Sequence, residues 1–117
     1  MVAIVDDDTS VRTALHELLR SMGYNAVAFG SAEEFLAGRG HERCDCLITD
    51  VHLPGMSGIE LVRSLRRAGG ALPAVFITAH DDPTTLKLIR QVSAVPHLHK
   101  PFSEEELVNA IRRALAA

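Results

Sequence analysis

The chain has 117 residues, of which 47% are hydrophobic and 23% are charged, and its formal net charge is −3. This length predicts one domain that buries about two-thirds of its unfolded surface. The small acidic excess gives no electrostatic footprint for nucleic acid, and no apolar run reaches membrane-spanning length. The start of the chain also lacks a signal-peptide pattern, so we expect a cytoplasmic domain that binds neither nucleic acid nor membrane.

Short apolar runs alternate along the chain with amphipathic helical patterns, five of each. Strands are predicted over residues 2–5, 25–29, 47–50, 74–78 and 95–99. Helix starts are predicted at Asp8, at the capping boxes Ser31–Glu34, Ser57–Glu60 and Ser103–Glu106, and at Asp82 followed by Pro83. Helix ends are predicted at Gly23, at Gly38 and Gly40, and at Gly69–Gly70.

Alternation of strands and helices predicts an α/β fold, in which helices cover both faces of a parallel sheet through right-handed crossovers. The carboxyl ends of parallel strands meet at one edge of the sheet, where ligands and chemistry collect. Asp6 and Asp7 follow the first strand, Asp50 ends the third, Thr78 ends the fourth and Lys100 follows the fifth. We therefore expect these five side chains to lie together.

Asp50 ends the predicted central strand, and the turn residues Pro54, Gly55 and Gly58 follow it before the next helix. Three roles are open to a carboxylate at that place. It is a nucleophile, a metal ligand or the cap of a turn, and the neighbouring strand ends have to decide between them.

The predicted neighbours favour phosphoryl chemistry. Clustered carboxylates repel each other, and a divalent cation with hard oxygen ligands, such as Mg²⁺, relieves the repulsion. A carboxylate oxygen attacks phosphorus when the charge of the phosphoryl group is neutralised, which a cation and a lysine ammonium both do. Asp50, Asp6, Asp7, Thr78 and Lys100 together supply what is needed to make and hold an aspartyl phosphate.

Motifs that follow one another along the chain resemble the receiver domain of bacterial two-component response regulators. They are Asp6-Asp7, Asp50-x-x-x-Pro54-x-x-x-Gly58, Thr78-Ala79 and Lys100-Pro101-Phe102. The Val-Asp-Asp-Asp start and the run from Met56 to Leu61 are most similar to receivers of the FixJ and NtrC type. The resemblance extends over essentially the whole chain, so residues 1–117 are interpreted as one receiver domain. It implies a flavodoxin-like, doubly wound parallel sheet with strand order 2-1-3-4-5.

The resemblance also implies roles for individual residues. Asp50 would accept a phosphoryl group from a histidine kinase or a histidine phosphotransfer protein. Mg²⁺ would be held by Asp7, Asp50 and the backbone carbonyl of His52, with Asp6 acting through a water. Thr78 and Lys100 would contact the phosphoryl oxygens, and the peptide bond before Pro101 would be cis.

The signal would be read out on the surface of the fourth helix, fifth strand and fifth helix, which is also a candidate homodimer interface. Thr78 and the residue at position 97 would form the switch. Here the sequence departs from the family, because His97 stands where a tyrosine or phenylalanine is usual. The fourth helix also lacks its usual terminal glycine around Ser93, and Pro96 falls within the predicted fifth strand.

Three other functions remain open from the sequence. An Asp-based phosphohydrolase commonly has a second aspartate two residues after the nucleophile, where this chain has His52. A flavin-binding electron carrier needs a phosphate loop after the first strand, where this chain has three acids. A pseudo-receiver that only binds proteins is favoured by His97 and Ser93 alone. The chain stops soon after the fifth helix, which suits either a stand-alone receiver or one domain of a longer regulator.

The remaining polar residues receive structural interpretations. We expect Cys44 and Cys46 to be reduced thiols, without a disulfide or a zinc site. His16, His41 and His80 are expected on the solvated surface. The third helix is expected to expose a basic face comprising Arg63, Arg66 and Arg67.

Overall fold

The computed structural model describes residues 1–38, 42–93 and 97–116. Its strands are β1 (Val2–Val5), β2 (Ala26–Phe29), β3 (Cys46–Asp50), β4 (Ala74–Thr78) and β5 (Leu98–His99). Its helices are α1 (Thr9–Ser21), α2 (Ala32–Ala37), α3 (Gly58–Arg67), α4 (Pro83–Val92) and α5 (Glu104–Ala116). In the part of the chain that the structure describes, no helix is long and apolar enough to cross a membrane.

The five strands form one parallel sheet in the order β2-β1-β3-β4-β5, which confirms the predicted doubly wound topology. β3 lies in the centre, and β1 and β4 flank it. Asp50 pairs in register with Ile77 of β4, and Val5 pairs with Thr49 of β3. The residues that directly follow β1, β3 and β4 therefore leave the sheet at the same edge.

Each central strand is buried on both faces, as its continuous apolar run predicts. Side chains alternate between two cores along a strand. Leu47 and Phe76 pack on the side covered by α2, α3 and α4, whereas Ile48 and Ile77 pack on the side covered by α1 and α5. The sheet is thus packed between helices on both faces, which leaves its carboxyl edge as the place where polar side chains collect.

Most predicted helix starts are confirmed. Asp8 accepts backbone N–H bonds at the start of α1, and Asp82 does so for α4, with Pro83 in the first turn. The Ser57–Glu60 capping box is present in full. The Ser31–Glu34 prediction was half wrong, because the Glu34 carboxylate accepts from the N–H of Gly30 at 3.1 Å instead of that of Ser31.

Three predicted strands differ from the structure, and one of them, β3, begins at Cys46, one residue earlier than predicted. β2 begins at Ala26, one residue later than predicted, and the backbone carbonyl of Asn25 still accepts from Val2 N–H at 2.8 Å. β5 comprises Leu98 and His99 in the structure. His97, which the prediction included, is described and lies just before β5, whereas Val95 and Pro96 lie outside the described residues, as do Gly40 and His41.

The surface predictions were only partly right. His80 is exposed, but His16 is half-buried, with its Nε2 3.1 Å from the carbonyl oxygen of Ala26. The basic face of α3 is not simply solvated, because Arg63 donates to Gln91 at 2.9 Å and Arg66 donates to the Leu72 carbonyl at 2.7 Å. Both described cysteines are free thiols, and burial raises the pKa of the Cys46 thiol to about 12.

Candidate functional site

The carboxyl edge of the sheet forms a crevice lined by the polar residues that the sequence predicts there. Asp50 is the last residue of β3, Thr78 is the last residue of β4, and Lys100 follows β5. The Lys100 N–H donates to the carbonyl oxygen of Thr78 at 2.8 Å, which continues the β4–β5 pairing to the edge. These three residues therefore lie at the ends of neighbouring strands, at the same edge of the sheet.

Asp50 is almost completely buried, with 8% of its surface exposed. Its Oδ1 accepts from the backbone N–H of His52 at 3.0 Å, and its Oδ2 accepts from the Lys100 ammonium at 2.7 Å. One hydrogen bond therefore fixes the carboxylate from its own loop, and the other compensates its charge. The small exposed fraction leaves it reachable from the crevice.

Asp6 lies deeper, with no exposed surface. Its Oδ1 accepts from Asp8 N–H at 2.9 Å, and its Oδ2 accepts from the Lys100 ammonium at 3.0 Å. Burial raises the pKa of this carboxyl above its usual value, and the bonds from Asp8 and Lys100 offset only part of that rise. Asp6 is thus an acid that burial makes harder to ionise and that its neighbours make easier to ionise.

Lys100 joins the two buried carboxylates. Burial alone lowers the pKa of its ammonium, but the hydrogen bonds from the ammonium to Asp50 and Asp6 raise that pKa overall. The Lys100 side chain is 22% exposed, so its ion pairs with Asp6 and Asp50 are shielded from most of the solvent. The ammonium therefore occupies the position where positive charge is needed between the two acids.

Asp7 is exposed at the mouth of the crevice. One carboxylate oxygen each of Asp6, Asp7 and Asp50 can be chosen so that all three lie within 4.8 Å of one another. Oxygen ligands of one Mg²⁺ lie about 3 Å apart when adjacent and about 4 Å apart when opposite, so small side-chain shifts suit this group to the ion. The donor set is all oxygen, as Mg²⁺ prefers, and the His52 carbonyl stays a predicted further ligand.

Thr78 has no exposed surface, and its hydroxyl is engaged with the loop that follows β4. The hydroxyl donates to the carbonyl oxygen of His80 at 3.1 Å and accepts from the His80 N–H at 2.9 Å. The imidazole of His80 also packs edge-to-face against that of His52, with ring centroids 4.8 Å apart. In this arrangement the Thr78 hydroxyl makes both of these hydrogen bonds to the backbone of the loop between β4 and α4.

His97 lies outside the crevice, on the surface beside β5. Its Nε2 is 3.2 Å from Oδ1 of Asp81, which belongs to the β4–α4 loop. The ring is half-buried, with 26% of the side chain exposed.

The peptide bond between Lys100 and Pro101 is cis, as the sequence resemblance implies.

Two residues with a positioning role, Glu33 and Arg12, were missed by the sequence interpretation, as was the close contact of Gly58 with Asp50. Glu33 of α2 accepts from the N–H of Met56 at 3.1 Å and so anchors the loop after β3, and this bond lowers the pKa of its carboxyl. Arg12 donates to the backbone carbonyl of Asp6 at 2.7 Å. At Gly58, a Cβ atom would collide with the backbone carbonyl oxygen of Asp50.

Sequence signals for these roles were weak. Gly58 belongs to a motif that the sequence does show, but its contact with Asp50 depends on how α3 docks. Glu33 and Arg12 occupy ordinary positions in the first turns of α2 and α1, where charged residues are common on any helix.

Comparison with known families and proteins gives a consistent result. The family model described as the response regulator receiver domain matches residues 2–112. The response regulator protein TodT of Pseudomonas putida is 44% identical over 116 residues, which cover 98% of this chain and 51% of TodT. Nodulation protein W of Bradyrhizobium diazoefficiens is 42% identical over 112 residues, covering 95% of this chain and 49% of that protein. The chain thus spans about half the length of these curated relatives.

Solved structures agree with this result. The response regulator StyR superposes with a TM-score of 0.88 at 44% identity, covering 98% of this chain and 58% of StyR. FixJ-N superposes with a TM-score of 0.88 at 35% identity, covering 98% of this chain and 92% of that one. The chemotaxis protein CheY4 of Vibrio cholerae has a TM-score of 0.87 at 31% identity, with 97% of both chains covered.

Proposed function

The chain belongs to the response regulator receiver domain family, and from this premise we propose that Asp50 accepts a phosphoryl group from a phosphohistidine. The donor is a histidine kinase or a histidine phosphotransfer protein, met in the cytoplasm. One observation carries the proposal: Asp50 ends the central strand, with 8% of its surface exposed, beside a lysine ammonium and two further acids.

The proposed step is an in-line displacement at phosphorus. A carboxylate oxygen of Asp50 forms the new P–O bond, while the P–N bond of the phosphohistidine breaks and its electron pair returns to the imidazole, which takes up a proton. The His52 N–H holds one Asp50 oxygen, and the Lys100 ammonium offsets negative charge at the reacting group. Asp6, Asp7, Asp50 and the His52 carbonyl are the residues that would hold Mg²⁺. When bound, that ion neutralises phosphoryl charge.

Phosphorylation has to change the loop after β4 if Thr78 is to contact the phosphoryl group. The Thr78 hydroxyl now makes two hydrogen bonds to the His80 backbone, and it would give these up. A phosphoryl group shifts such an equilibrium only by its stronger interaction with one of the two states. We propose that α4, β5 and α5 carry the resulting signal and that this surface serves for homodimer formation.

His97 makes this switch weaker than a tyrosine or phenylalanine at the same position would. Its ring nitrogen lies 3.2 Å from Asp81, and turning inward would exchange this polar contact for burial of a polar ring. A tyrosine or phenylalanine gains more apolar contact from the same movement. We therefore expect a smaller population shift on phosphorylation than His97→Tyr would give.

The test is incubation with acetyl phosphate and Mg²⁺, followed by intact-protein mass spectrometry. We expect wild type to gain one phosphoryl group, Asp50→Asn to gain none, and Asp45→Asn, which alters an exposed acid far from the crevice, to react like wild type. Equal labelling of the Asp50→Asn variant would disprove the assignment. A wild type that stays unlabelled would instead favour a module that only binds proteins.

A further inference from the structure

Arg12 of α1 reaches back to the loop that follows β1. Its Nη1 donates to the backbone carbonyl oxygen of Asp6 at 2.7 Å, and its Nη2 donates to the hydroxyl oxygen of Thr9 at 3.0 Å. The guanidinium is planar and its donors form a rigid fork, so bonds to two acceptors set both its place and the direction of its plane. The phosphoryl chemistry proposed above uses neither Arg12 nor Thr9.

The bond from Arg12 acts on the peptide unit that joins Asp6 to Asp7. The N–H of Asp6 donates to the carbonyl oxygen of Phe29 at 3.2 Å, which holds the preceding peptide unit against β2. The bond to the Asp6 carbonyl then sets the rotation of the next peptide plane. Because a peptide unit is planar, fixing its carbonyl also fixes the N–H and the Cα atom of Asp7.

The peptide unit on the other side of Asp7 is held as well. The N–H of Asp8 donates to Oδ1 of Asp6 at 2.9 Å. The two peptide planes meet at the Cα atom of Asp7, and their orientations together decide the direction of its Cα–Cβ bond. The Asp7 side chain is exposed, so its direction is set mainly by this backbone and little by packing.

We propose that Arg12 is a positioning residue for the Mg²⁺ site, since it holds the peptide before Asp7 in the orientation that directs the Asp7 carboxylate toward those of Asp6 and Asp50. The proposal rests on the Mg²⁺ ligands named under the proposed function. One oxygen of each of these three carboxylates lies within 4.8 Å of the others, and Asp7 is the member that the Arg12 bond directs.

The charge of Arg12 has the opposite effect on Mg²⁺ binding. Arg12 is a cation bonded to the loop that carries Asp6 and Asp7, and like charges repel, so it disfavours a divalent ion on that loop. Removal of the charge by itself would therefore strengthen Mg²⁺ binding. Loss of the positioning bond weakens it, so the sign of the change distinguishes the two effects.

A Mg²⁺ titration of the isotope-labelled chain, followed by the backbone amide resonances of Asp7 and Asp8, tests the role of Arg12 without any phosphorylation. We expect Arg12→Met to raise the Mg²⁺ dissociation constant by about 10-fold, the low end of the range for residues that hold a metal ligand, because the lost repulsion acts the other way.

Arg20→Met is the matched control for charge. Arg20 is an exposed arginine in the last turn of the same helix, about 12 Å along the axis from Arg12, and its replacement should leave Mg²⁺ binding close to that of wild type. A dissociation constant of Arg12→Met equal to or below that of wild type would overturn the proposal.

A second variant covers the case in which Arg12→Met does not fold. Thr9→Val leaves the charge of the loop unchanged and removes the hydroxyl that holds the second guanidinium nitrogen of Arg12. We expect it to weaken Mg²⁺ binding in the same direction but less, by about two- to fivefold. If Arg12→Met is unfolded, wild-type affinity in Thr9→Val overturns the proposal.

The titration also separates failure of this proposal from failure of the proposed function. A wild type that binds Mg²⁺ no better than the folded variants would overturn the role of Arg12 and leave the proposed ligands in place. A wild type without any response to Mg²⁺ would overturn the ligands and the role of Arg12 together. Neither result depends on the reaction of Asp50 with acetyl phosphate.

Discussion

Replacement of Lys100 by methionine tests how much the fold depends on the ammonium that two buried acids share. The ammonium donates to Asp50 at 2.7 Å and to Asp6 at 3.0 Å, and methionine removes both bonds while keeping much of the side-chain volume. A broken ion pair costs about 3–5 kcal/mol when fully buried and about 0–1 kcal/mol at the surface. Because Lys100 is 22% exposed, we expect the free energy of unfolding to fall by about 2–4 kcal/mol at neutral pH.

Urea unfolding without Mg²⁺ measures this loss. With a slope of about 2 kcal/mol per molar urea, the middle of the range usual for small proteins, the unfolding midpoint should fall by about 1–2 M. Lys87→Met is the matched control, since Lys87 is an exposed lysine on α4, and its midpoint should stay close to that of wild type. Mg²⁺ should restore much of the lost stability, because a cation bound to the same carboxylates takes over the compensation of their charge.

The pH dependence of the same variant has a definite sign. As far as the titration of the lysine itself is concerned, its pairing contributes fully below the ordinary lysine pKa and is lost as the pH rises through its raised pKa, so at neutral pH this contribution is complete. Burial raises the pKa of Asp6. Lowering the pH protonates this carboxylate and so removes a buried negative charge that the Lys100 ammonium would otherwise compensate. The deficit of Lys100→Met should therefore narrow as the pH falls from neutral. Midpoints equal to those of Lys87→Met, or a deficit that widens with acid, would refute this account.

Two further predictions concern the crevice. Gly58→Ala should lower the free energy of unfolding by about 1–3 kcal/mol, because the added Cβ meets the backbone carbonyl of Asp50. Gly30→Ala is the control and should be nearly neutral, because a Cβ there makes ordinary contacts. Equal urea midpoints for the two variants would contradict the reasoning. Asp7→Asn should fold normally but gain less thermal stability from Mg²⁺ than wild type does. Asp8→Asn keeps its helix cap and should respond to Mg²⁺ like wild type, so an equal response from the Asp7 variant would remove Asp7 from the ligands.

The sequence alone determined the elements of this fold and the place of its chemistry. Runs such as that from Ala74 to Thr78 are buried on both faces, and the helix caps at Asp8, Ser57 and Asp82 are local hydrogen bonds. Burial periodicity and helix capping depend on residues a few positions apart, so strands and helix starts can be predicted without knowing which elements pack against them. Parallel strands in turn deliver Asp50, Thr78 and Lys100 to one edge, which makes the position of the site a consequence of the alternation.

Only the tertiary structure decided how those residues are engaged. Lys100 shares its ammonium between Asp6 and Asp50, which lie 94 and 50 residues away in the chain. The choice of partners depends on which strands are neighbours and on the burial of each acid, and neither is a local property. For the same reason, the sequence did not reveal that Thr78 is bonded to the loop after β4 or that Glu33 anchors the loop after β3. Those bonds form only once separate helices and strands have packed around the sheet edge.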